Sequence, residues 1–109
     1  MGTMYYGDAR YPIHIEDRAL AHLRIVVLTK FRRHESFAFS WTKTSHDGSG
    51  HGCVWMHPGL TIHFEFLGSK EPDINRAWLE EMSASASRNL GLEIGEEPPK
   101  RETDADWPR

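Results

Sequence analysis

The hydrophobic residues of this chain change period once, sharply, and that change limits the folds it can adopt. Leu20, Leu23, Val27 and Phe31 recur at three- and four-residue intervals, the buried stripe of a helix running from about Arg18 to Phe31. Asp17 stands where an N-cap belongs, and the β-branched run Ile25-Val26-Val27 is tolerable in a helix that packs on a core. From residue 37 the period drops to two: Phe37, Phe39 and Trp41 alternate with Ala38, Ser40 and Thr42, a strand with one wet face. Helical and strand periods in separate blocks call for helices packed on an antiparallel sheet, an α+β fold.

The remaining elements follow from turn residues. Thr3–Tyr6 and Tyr11–Ile15 flank Gly7-Asp8-Ala9-Arg10, which predicts a hairpin. Residues 44–52 are rich in Gly, Ser and Asp and read as a flexible loop. Cys53–His57 is a further strand, stopped by Pro58-Gly59, and Leu60, Ile62, Phe64 and Phe66 alternate through the next. Connections this short predict an antiparallel meander of the three strands after the first helix. Pro72-Asp73 opens a second helix, whose buried stripe is Ile74, Trp78, Met82 and Ala86, and Leu92-Glu93-Ile94 adds a last strand. The expected order is β-β-α-β-β-β-α-β, an antiparallel sheet with two helices on one face. Residues 1–95 form the single domain, and 96–109 form a disordered acidic tail containing Pro residues.

Size and composition remove several functional classes. The chain has 109 residues and a formal net charge of −3, which argues against a protein that simply coats nucleic acid. One cysteine, Cys53, excludes an internal disulfide and any multi-cysteine zinc site. No apolar run approaches the roughly 18–20 residues of a membrane span, and no secretory signal is visible, so a cytoplasmic protein is expected.

An antiparallel sheet with helices on one face leaves its other face open unless a partner covers it. If Phe37, Phe39, Val54, Met56, Leu60, Ile62 and Phe64 face the helices, the open face displays Ser40, Thr42, Cys53, Trp55, His57, Thr61, His63 and Glu65. Trp55, His57, His63, Glu65 and Ser40 are the candidate binding residues. His57, His63 and Glu65 are candidate metal ligands, because cross-strand neighbours can approach to coordination distance. Trp55 and Trp41 offer a base-stacking platform that Lys30, Arg32 and Arg33 could edge with positive charge. Catalysis has little support. Ser45-His46-Asp47 are sequence neighbours that cannot adopt triad geometry, and the Gly-rich run 48–52 lacks the Gly-Lys-Ser/Thr of a phosphate loop. No catalytic residue and no cofactor is expected, and the favoured partner is a second copy or another protein, with nucleic acid as an alternative.

Five blocks together carry a resemblance: 17–23 (DRALAHL), 35–41 (ESFAFSW), 55–58 (WMHP), Gly68-Ser69 and 74–79 (INRAWL). They resemble a family of roughly hundred-residue actinobacterial proteins of unknown function, over residues 1 to about 98. Some of its members are labelled ATP-dependent DNA ligase. Such ligases attach AMP to the lysine of a Lys-x-Asp-Gly motif inside a domain larger than this chain. The nearest match, Lys43 to Gly48, has two residues too many between lysine and aspartate. An autonomous ligase is therefore not expected; an accessory role near DNA stays open as an alternative to the binding module, as does a small metal-binding protein or enzyme centred on His57, His63 and Glu65.

Overall fold

The structure is a computed structural model that describes residues 1–42, 50–89 and 91–99. The expected Lys43–Gly48 motif, the Ser45-His46-Asp47 run and the tail from residue 100 lie outside the described residues. The elements are β1 (Gly2–Tyr6), β2 (Tyr11–Ile15), α1 (Asp17–Arg32), β3 (Phe37–Thr42), β4 (His51–Met56), β5 (Ile62–Glu65), α2 (Arg76–Ser85) and β6 (Leu92–Glu93). The α+β class and the order of elements are those read from the sequence.

The sheet is where structure and expectation part. The described residues form two three-stranded sheets, ordered β2-β1-β5 and β4-β3-β6, not one sheet with a β3-β4-β5 meander. The turn closed by the Leu60 N–H on the His57 carbonyl sends the chain away from β4. The Gly7 N–H then takes the Thr61 carbonyl, and β5 runs antiparallel to β1, pairing Thr3 with Glu65 and Tyr5 with His63. Alternation sets which side chains share a face, but it does not name the neighbouring strand. The Tyr6 hydroxyl ties the two sheets together by donating to the Trp55 carbonyl at 2.6 Å.

The core lies between the sheets and the helices. Met4, Ile13, Leu20, Leu23, Val27, Phe39, Met56, Met82 and Leu92 are all essentially inaccessible to solvent. The second-helix stripe is as expected, with Ile74, Trp78, Met82 and Ala86 all buried. Helix α2 nevertheless begins at Arg76 rather than at Pro72-Asp73, because Asn75 is its cap. The Asn75 side-chain oxygen accepts the N–H groups of Ala77 and Trp78. Asp17 is likewise not a cap: it is the first residue of α1, and its carboxylate accepts the N–H groups of Leu67 and Gly68. Those bonds, Gly68 foremost, hold its pKa below the ordinary value and pin the segment after β5 to the start of α1.

β6 is short and runs parallel to β3, pairing Phe39 with Leu92 and Ser40 with Glu93. Its approach depends on Gly91, at φ +78°, where a β-carbon would stand 2.1 Å from the Ala38 carbonyl oxygen. The Ser85 hydroxyl, accepting the Glu93 N–H and donating to the Met82 carbonyl, fixes the other side.

Asn75, 1% exposed, is the junction of the fold. Its N–H donates to Nε2 of His22 at 2.7 Å, while Nδ1–H of His22 donates to the Arg18 carbonyl. Its Nδ2 donates to Glu97 and to the Pro98 carbonyl, and Arg18 grips the same Glu97 carboxylate through two bonds of 2.6 Å. The sequence boundary at residue 95 therefore falls two residues short of Glu97, which is fastened to both helices. Arg18 and then Asn75 hold the Glu97 carboxyl down at about 2, and burial pushes the His22 pKa below its ordinary value.

Both shifts make acid destabilising. His22 is neutral in the fold and free to protonate when unfolded, so its contribution is complete above pH 6.5 and declines below it. The Glu97 contribution is complete above pH 4.5 and is lost as pH falls towards about 2. Urea midpoints should hold level above neutrality and fall in two stages below it. His22→Gln should be less stable at pH 7 yet show a flatter first stage; an unchanged slope would remove His22 from the account. Gly91→Ala combines left-handed strain with a backbone clash and should cost about 3 kcal/mol in the same assay, whereas a loss under about 0.5 kcal/mol would mean that β6 does not need this close approach.

Candidate functional site

Trp55, His57, His63 and Glu65 are exposed and Ser40 is half-buried, and they divide between two surfaces. Register places Trp55 opposite Ala38, Cys53 opposite Ser40 and His51 opposite Thr42 on the outer side of β4-β3-β6. His63 and Glu65 lie on the outer side of β2-β1-β5. His57 stands in the turn between β4 and β5. Trp55 is 57% exposed and Cys53 is an exposed free thiol, so neither is part of the core.

Trp41 does not join Trp55. It shares a face with Phe39, stacking on it at 5.6 Å and 20°, and its ring lies over Gly52, directly opposite on β4. A strand alternates its side chains, so the face that takes Phe37 and Phe39 inward also takes Trp41. The expected pair of stacking tryptophans is reduced to one.

The expected basic patch is also changed. Nζ of Lys30 sits 3.0 Å and Nε of Arg33 sits 3.3 Å from the two carboxylate oxygens of Glu35. The chain turns sharply at His34, φ +57°, with the His34 N–H on the Phe31 carbonyl and the Glu35 N–H on the Lys30 carbonyl. That helix-ending turn swings Glu35 back over the last turn of α1, where its one negative charge is shared between Lys30 and Arg33. Lys30 holds the Glu35 pKa below its ordinary value, with Arg33 adding to the effect. Arg32 remains exposed.

His63 and Glu65 do come together, Nε2 to Oε2 at 2.6 Å. Among the described residues, however, no three histidines, cysteines or acids gather closely enough to hold a metal ion, so His57 does not complete a set with them. What surrounds His63 was not selected from the sequence. Tyr5 meets it edge-on at 5.6 Å, and the Arg10 guanidinium lies over the Tyr5 ring at 4.4 Å. On the next row Thr3 stands between His14 and Glu65, with its hydroxyl 3.2 Å from Nδ1 of His14. The signal was present in the hairpin, where Thr3 and Tyr5 alternate with buried Met4, but it needed β5 beside β1 to become a site.

This outer surface is an amphipathic strip three strands wide. Pro12, His14, His63 and Glu65 are exposed on it, while the alternate residues Met4, Ile13 and Ile15 are buried on the other side against the core. Positive charge lies at the Arg10 end and negative charge at the Glu65 end, along the direction of β1. The contacts along it are a cation–π contact of Arg10 with Tyr5, an edge-to-face contact of Tyr5 with His63 and the His63–Glu65 pair.

Among the described residues no helix is long and apolar enough to cross a membrane. No curated protein and no solved structure matches the chain. A family model does match, over residues 1–97, its last residue being the Glu97 that Arg18 and Asn75 hold. The chain belongs to the family described as "Domain of unknown function (DUF7882)".

Proposed function

We propose that this domain is a non-catalytic binding module whose working surface is the outer face of β2-β1-β5, and that the face is occupied by a second copy of the chain. The observation that carries the reading is the arrangement of charge about Tyr5. Arg10 lies over its ring on one side, and the His63–Glu65 pair lies on the other. A two-fold axis through this strip sets Arg10 of each copy against Glu65 of the other, which is the self-complementarity that an isologous interface requires. A polar strip with one partly buried aromatic at its centre suits a modest, reversible contact.

The test is a charge swap read by sedimentation velocity. Arg10 and Glu65 are outside the core, so their substitution leaves the fold intact. Arg10→Glu and Glu65→Arg should each weaken self-association by about tenfold or more, and the double variant should recover most of it. A chain that stays monomeric at every concentration, or two single variants that associate as the parent does, would sink the proposal.

A second reading, an accessory DNA- or RNA-binding protein, is favoured by one observation: Trp55 offers an exposed ring on the edge strand β4, and Arg32 is an exposed base at the end of α1. It requires binding to a single-stranded oligonucleotide that weakens with salt, and weakens about tenfold in Trp55→Ala by loss of one stacking contact. Binding that ignores Trp55→Ala and Arg32→Gln would rule this surface out.

A further inference from the structure

The contact between the two helices turns on a titratable ring that water does not reach. His22 is 0% exposed, and its ring lies against Trp78 at 4.7 Å and 43°. Both ring nitrogens are engaged: Nδ1 with the Arg18 carbonyl one turn earlier and Nε2 with the Asn75 N–H, each at 2.7 Å. A carbonyl only accepts and a backbone N–H only donates, so the hydrogen sits on Nδ1 and Nε2 is bare. An imidazolium carries a hydrogen on both nitrogens, and its Nε2–H would meet the Asn75 N–H donor to donor. Asn75 does not shift alone, because its side-chain oxygen caps α2 at Ala77 and Trp78 and its amide nitrogen holds Glu97 and the Pro98 carbonyl.

The chain on either side is fastened to α1 without Asn75. Before it, Asp17 accepts the Leu67 and Gly68 N–H groups, Arg24 pairs with Glu71, and Arg18 donates to the Asp73 carbonyl. After β6, Glu97 stays on Arg18. What is left to move with Asn75 is the first turn of α2. Among the described residues, the charged groups felt by the ring are Arg18 and Glu16 at the beginning of α1 and Glu97 in the segment after β6, while α2 presents the uncharged Trp78. Burial is the largest influence and disfavours the charged ring, as Arg18 does; the Arg18 carbonyl, Glu97 and Glu16 favour it. The closed arrangement therefore resists the proton, and an opened one, with water at the ring and Glu97 still near, admits it.

We infer that His22 is an acid-sensitive latch: a proton taken from solvent onto Nε2 breaks its bond to Asn75 and parts the first turn of α2 from α1 while both sheets stay paired. Loss of stability in acid requires only that the unfolded chain take up the proton; the latch adds a folded state that takes it up. The pairings of β1 with β2 and β5, and of β3 with β4, involve none of Arg18, His22, Asn75 and Glu97. Nor does any of these four lie on the outer face of β2-β1-β5, so the latch does not depend on that surface having a partner.

Native-state hydrogen exchange on the full chain, between about pH 7 and about pH 5, reads the opening directly. Below pH 6.5, the ordinary value for the ring, the protection of the Asn75, Ala77 and Trp78 N–H groups and of the Asn75 side-chain amide should fall about tenfold per pH unit, one proton per opening. A local opening exposes little surface, so these rates should not respond to about 0.5 M urea, whereas those of paired β1 and β3 amides should rise. His22→Gln offers Asn75 an acceptor that does not titrate, and in it the protection of the same amides should stay level with pH. Should that variant not fold, the parent chain still decides, because the pH slope and the indifference to urea must occur together. Protection that stays level with pH in the parent, a slope that survives in folded His22→Gln, or latch amides that respond to urea as β3 does would each overturn the inference.

Discussion

One buried side chain, Asn75, joins the parts of this molecule that no strand pairing joins. Every polar group it carries is used: the oxygen caps α2, the amide nitrogen holds Glu97 and Pro98, and the backbone N–H meets His22 of α1. A buried amide with even one group unmatched costs about 1–3 kcal/mol, a large share of the stability of a domain this small. The arrangement therefore works as a set. It fixes where α2 starts, keeps His22 neutral, and brings the chain after β6 back across both helices.

That closure determines which surfaces are left for function. The helices and the returning segment occupy one side of the molecule, and nothing among the described residues occupies the outer side of β2-β1-β5.

Much of the fold was legible from periodicity. The stripes of both helices, the alternation through β3, β4 and β5, and the exposure of Trp55, His63 and Glu65 all follow from which residues repeat at 3.6 and at 2. What periodicity does not carry is the identity of a strand's neighbour. Alternation alone puts β5 beside β4 and does not single out Tyr5 and Arg10, which surround His63 only once β5 pairs with β1. The cap of α2 was misplaced for a related reason. Pro72-Asp73 and Asn75 are both acceptable starts locally, and only the distant partners His22 and Glu97 favour Asn75. The basic run ending α1 carries an acid that its own composition does not show, because Glu35 folds back onto Lys30 and Arg33 after the left-handed residue at His34. Acidic residues from 96 onward read as solvated tail because composition cannot reveal that Arg18, 79 residues earlier, is waiting for one of them.

The central claim is that the folded unit closes through Glu97 rather than ending at the last strand. It is tested most directly by comparing the urea unfolding of a chain that stops after Gly95 with one that stops after Pro99. The account predicts that the shorter chain is less stable by about 1–2 kcal/mol at pH 7, since Asn75 loses two acceptors and the part-exposed Arg18 loses its partner. It also predicts that the difference narrows as pH falls from 4.5 towards about 2, where the Glu97 carboxylate takes up its proton. Equal midpoints for the two chains at neutral pH would contradict it.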